Sequence, residues 1–130
     1  MIKKIVLLCS IVLITGCSTL NSLLPSPWDD NEMMYIATLQ YEVRKIQCEG
    51  DKSHETIEQV WATKEKLWWY AQAARHADVV NLIEPYHQSM VGLYEQSKAG
   101  KLRKPYCVNK VTILTTQTDM IAEALASRNR

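Results

Sequence analysis

Apolar residues recur along this chain at alternating steps of three and four, and the pattern appears four times. A run with that period can bury one face only as a helix. Ile36, Leu39, Val43 and Ile46 form the first seam, opened by Asp29-Asp30 as caps and expected to end at Gly50. Ser53 is expected to cap a second helix, with Ile57, Val60, Trp61, Leu67, Trp68, Ala71 and Ala74 on one broad stripe. Asp78 is expected to cap a third, with Val79, Ile83, Tyr86, Met90, Leu93 and Tyr94 inward. Pro85 should kink that helix or mark its true first turn, and Gly100 should close it. The fourth is expected from about Lys110, with Val111, Leu114, Ile121 and Leu125 inward. Thr112, Thr115, Thr116 and Thr118 weaken that last pattern, since threonine is a poor helix former. No period-two run of strand length occurs, so the expected fold class is all-α, a four-helix up-down bundle.

The first seventeen residues read differently. Lys3 and Lys4 form a positive start, Ile5 to Ile14 an apolar core, and Thr15-Gly16 a small-residue cleavage site. Ten residues of helix span about 15 Å, half of a bilayer core of about 30 Å, so the segment suits a leader and not a spanning anchor. Ile14-Thr15-Gly16-Cys17 resembles the bacterial lipobox, which implies that Cys17 carries an N-acyl diacylglycerol and begins the mature chain. Three acyl chains make a permanent tether, because stable anchoring takes about two lipid signals. Ser18, where an aspartate would signal inner-membrane retention, makes the inner leaflet of an outer membrane the expected location, facing the periplasm. The division is therefore a leader at 1–16, a lipidated cysteine and Pro/Ser tether at 17–28, and a helical domain at 29–130.

Cys9 falls in the leader and Cys17 in the anchor, leaving Cys48 and Cys107 in a compartment that oxidises thiols. One pair allows one connectivity. Zinc would need two further ligands, and His54, His76 and His87 show no tight spacing to either cysteine. Short loops make sequential helices antiparallel neighbours. The end of the first helix, near Cys48, and the start of the fourth, near Cys107, then meet at one end of the bundle. The tether and the C-terminus meet at the other.

The full chain's net charge of +1 excludes a strongly basic nucleic-acid binder, and losing Lys3 and Lys4 with the leader makes it −1. No nucleophile motif, phosphate loop or metal signature stands out. Glu84-Pro85-Tyr86-His87 has the Glu-x-x-His spacing of di-iron bundles, which need two such motifs and two further glutamates. This chain has one, interrupted by proline, so no metal and no catalytic residue is expected. Lys98, Lys101, Arg103, Lys104 and Lys110 read as a solvated loop, with an anionic partner as the sharper alternative.

The aromatics say more. Trp68, Trp69 and Tyr70 step by about 100° each, so they cover about 200° of helix surface. The seam takes Trp68 and has room for Tyr70 at its edge, while Trp69 points about 120° away. Met34 and Tyr41, seven apart, also lie off their seam. Either wide stripes bury all three, or Met34, Tyr41 and Trp69 line a groove for an amphipathic partner helix.

A family resemblance follows from these features together. The lipobox, the tether and about 100 residues of helices with one cysteine pair resemble the type II secretion pilotins of the PulS/OutS kind. Arg44-Lys45-Ile46-Gln47-Cys48, Gly92-Leu93-Tyr94-Glu95-Gln96-Ser97 and Lys104-Pro105-Tyr106-Cys107, with Asn109 after it, carry the local likeness. The chain departs from that family in its four tryptophans, its lack of phenylalanine and its long basic loop. The resemblance implies a non-enzymatic protein that binds the C-terminal helix of a secretin and carries it to the outer membrane. Two other classes share the anchor: a phage- or plasmid-type exclusion or lysis accessory, and a structural lipoprotein of an envelope complex.

Overall fold

A computed structural model describes residues 24–128. The expected leader, Cys17 and the expected tether as far as residue 23 lie outside the described residues. Helices α1 (Asp30–Val43), α2 (Ser53–Ala73), α3 (Ala77–Lys98) and α4 (Lys104–Ala126) form the bundle, and the described residues contain no strand. Contacts run α1 to α2, α2 to α3, α3 to α4 and α4 back to α1, a closed ring. Each seam faces inward: Ile36, Leu39 and Val43 meet Ile57, Val60 and Leu67, with Ile83, Tyr86, Met90, Leu93, Leu114, Ile121 and Leu125, all buried.

Cys48 and Cys107 are joined, with Cα atoms 5.6 Å apart and a sequence separation of 59. The bond ties the end of α1 to the start of α4, the two helices most distant along the chain. In the loop-entropy model a closure of that length is worth about 4 kcal/mol.

The helix ends match expectation at the start of α1 and differ from it further along the chain. Asp29 is the cap of α1, accepting the N–H groups of Asn31 and Glu32 at 2.8 and 3.2 Å. The helix stops at Val43, so Ile46 packs on the core from the loop and Gly50, at φ +84°, turns the chain into α2 instead of ending α1. Ser53 is the first residue of α2 and no cap; its hydroxyl donates back to the Gly50 carbonyl. His76, not Asp78, stands at the cap position of α3, and the helix runs on through Pro85 from a true start at Ala77.

The largest difference is α4, which begins at Lys104, six residues before the expected start. Pro105 suits a first turn, where its missing N–H costs nothing. Cys107 therefore sits inside the helix and not ahead of it. The threonines fit because Thr112, Thr116 and Thr118 donate their hydroxyls to the carbonyls of Val108, Thr112 and Thr115.

Candidate partner surface and the polar bundle end

The tether end of the bundle is polar where the seams would suggest apolar. Glu32 lies one turn before Ile36 on the α1 seam and is fully buried. Its carboxylate is divided between two helices: Oε1 meets His76 Nδ1 at 2.7 Å, and Oε2 accepts from Arg128 at 2.7 Å. Arg128, beyond the end of α4, also donates to Asp78 in the first turn of α3 at 2.5 Å. Buried charges persist when each is paired and hydrogen-bonded, as here. Tyr70 packs against Tyr35 with the rings tilted and their centres 5.9 Å apart, donates to Asp29 at 2.9 Å and accepts from Asn31. Burial pushes the Asp29 carboxyl up, but the Glu32 N–H, the Tyr70 hydroxyl, the Asn31 N–H and His76 outweigh it and hold the pKa below the ordinary value.

Asp29, Glu32 and His76 bring ligand-type atoms within 4.8 Å of one another. Those atoms are already engaged, and the Arg128 guanidinium lies on the Glu32 carboxylate, where a cation would have to approach. The trio is a structural network.

A second buried charge interrupts the α2 seam. Lys64 is fully buried between Val60 and Leu67, its ammonium 3.7 Å over the Trp61 ring, 2.8 Å from His87 Nδ1 and against Glu65. Burial lowers its pKa, opposed by Glu65 and Glu84. Trp61 stacks in turn on Tyr94, with ring centres 4.5 Å apart. His87 is thus the neighbour of a lysine, and Glu84 bonds to Gln88 on the helix surface.

The three aromatic and methionine residues singled out by helical angle all face outward. Met34 is 56%, Tyr41 60% and Trp69 63% exposed. Met34 and Tyr41 share the outer face of α1, about 10 Å apart along the axis. Trp69 stands on the adjacent α2, edge-on to half-buried Trp68 at 4.9 Å. Met34 lies four residues from the start of α1 and Trp69 four from the end of α2, so the antiparallel pair places them at one level, near the tether end. Tyr41 lies nearer the disulfide end, its ring under the Lys45 ammonium at 4.2 Å. None of the three lines either of two surface depressions. One, of about 400 Å³, lies beside Cys48, His54, Leu102 and Lys104; the other, of about 320 Å³, lies at the turn between α2 and α3. In the basic loop, Lys104 pairs with Glu49 at 3.0 Å, while Lys98 and Lys110 lie over the rings of Tyr94 and Tyr106.

No helix among the described residues is long and apolar enough to cross a membrane. Comparison with known proteins finds no matching family model, no matching curated protein and no matching solved structure.

Proposed function

We propose that this chain is a lipid-anchored envelope protein that works by binding, not by catalysis. In this reading Cys17 holds it to the outer membrane, and an amphipathic partner helix lies along the outer side of α1 and α2. The supporting observation is the outward placement of Met34, Tyr41 and Trp69, each more than half exposed, on two adjacent helices of a disulfide-stapled bundle. Contiguous apolar patches turned to solvent on a small domain mark interaction surfaces. Tryptophan and tyrosine are the residue types that dominate such contacts. In the pilotin form of the proposal the partner is the C-terminal helix of a secretin.

The test is Trp69→Ala. Truncating a central tryptophan costs about 2 kcal/mol or more, about thirty-fold in affinity, and an outward side chain leaves the fold unharmed. The expected result is weakened capture of a secretin C-terminal peptide with unchanged helicity and thermal midpoint. A variant that unfolds would make Trp69 a core residue, and unchanged capture would place the contact elsewhere. Absence of binding by the parent protein at about 100 μM peptide would remove the pilotin form.

A further inference from the structure

The last residues of the tether are not a free linker. Ser26 donates twice to Asp78, through its N–H at 3.1 Å and through its hydroxyl, and the Pro27 carbonyl accepts from Arg128 at 3.4 Å. Asp78 and Arg128 are themselves paired, and Arg128 continues to buried Glu32. The segment is therefore bonded to the same ionic network that joins the ends of α1, α3 and α4. Two prolines, Pro25 and Pro27, flank Ser26 and restrict the backbone on either side of it. That leaves little conformational freedom for docking to remove.

We propose that Ser26 and Pro27 form a latch, closed by Asp78 and Arg128, that sets how far the folded domain can stand from its anchor. The consequence for distance rests on the lipid-anchor reading above; the latch itself does not. With the latch closed, the leash from Cys17 to Ser26 is nine residue steps and reaches at most about 31 Å. Released back to the cap at Asp29, it is twelve steps and reaches about 42 Å. Asp78 is the keeper, since it alone holds both the Ser26 hydroxyl and its N–H while neutralising Arg128. Burial pushes the Asp78 carboxyl up, but the Ser26 bonds and Arg128 hold it below the ordinary value, so the keeper stays charged through the neutral range.

The experiment measures chymotryptic cleavage after Trp28 and amide exchange at Ser26 on the full mature chain, bound to phosphatidylethanolamine–phosphatidylglycerol vesicles. A Cys17→Ser chain, mixed with the same vesicles, is measured in parallel. In the parent, Ser26 exchanges at least ten-fold more slowly than an unstructured amide and cleavage is slow. Asp78→Ala accelerates both at least ten-fold while the amides of α2 stay protected. Should Asp78→Ala unfold the domain, Ser26→Ala replaces it, with an expected acceleration of a few-fold. A parent that exchanges and cleaves at the unstructured rate, or variants with parental rates, would overturn the latch. A Cys17→Ser chain that behaves like the parent in exchange but stays on vesicles would count against the anchor alone.

Discussion

The hydroxyl of Tyr106 on α4 stands 2.6 Å from the point where a Cβ on residue 92 of α3 would sit. The two helices close at this level because residue 92 is glycine. The next atom of that ring, Cζ, is at 3.9 Å, an ordinary contact. Only the hydroxyl is in the way.

Gly92→Ala should therefore change sign with its partner. Alanine gains about 1 kcal/mol of helix propensity over glycine, but beside Tyr106 it must displace a hydroxyl packed between helices. Alone it is expected to destabilise by about 1 kcal/mol or more. In a Tyr106→Phe background it should stabilise by up to about 1 kcal/mol. Urea midpoints of the four chains form the double-mutant cycle that checks this, and equal destabilisation in both backgrounds would refute it.

The turn between α2 and α3 and the end of α3 use the same backbone closure with different residues. His76 donates to Ala71 and Arg75 to Gln72; at the other end Lys101 donates to Gln96 and Gly100 to Ser97. Both are Schellman closures, which need a left-handed residue. Arg75 supplies φ +60° and Gly100 φ +67°. A side chain in that region costs about 1–2 kcal/mol, so Arg75→Gly should raise stability by about 1 kcal/mol. Gly100→Ala should lower it by a similar amount, although a Cβ there meets nothing within 4 Å. Denaturant unfolding of the two variants reads the opposite signs directly.

Acid should weaken the fold through its carboxylates. Arg44 and Gln40 hold Asp119 below the ordinary value of 3.8, and Asp29 and Asp78 are lowered as well despite their partial burial. Groups with depressed folded-state pKa values contribute stability that is complete above the unfolded value and lost as pH falls through the folded one. Unfolding free energy is thus expected to be flat in these groups above about pH 5 and to fall steeply below about pH 4. Asp119→Asn should make that fall shallower; an unchanged acid slope would show the Arg44 pair to be energetically silent.

The seams, the ring order and the cysteine pairing were legible in the sequence because each rests on a period or on elimination. Ile36, Leu39 and Val43, or Ile83, Tyr86 and Met90, announce their burial by spacing alone. The start of α4 was not legible, since four threonines lower local propensity and the hydroxyl bonds that three of them make form only once the helix exists. The polar bundle end was hidden for a different reason. Its members, Glu32, His76, Asp78 and Arg128, come from the ends of α1, α3 and α4, and spacing cannot pair residues so far apart. A signal was present nonetheless: Glu32 and Lys64 each occupy a seam position, where a charge demands a buried partner. The outward turn of Trp69 followed from its helical angle, but whether a neighbour covered it was a tertiary question.

Closure of the ring also bears on how the chain assembles. The α2–α3 hairpin turns through three residues and α3–α4 through five, so their contacts are local and cheap to form. Only α1 against α4 requires the two ends of the domain to find each other, the step that topology makes slow. Cys48 and Cys107 bridge the two elements where that meeting occurs, with Cα atoms 5.6 Å apart. The bond keeps those two ends close in the unfolded chain as well, so refolding with the disulfide intact is expected to outpace refolding of the reduced chain, and stopped-flow traces of the two would show the difference.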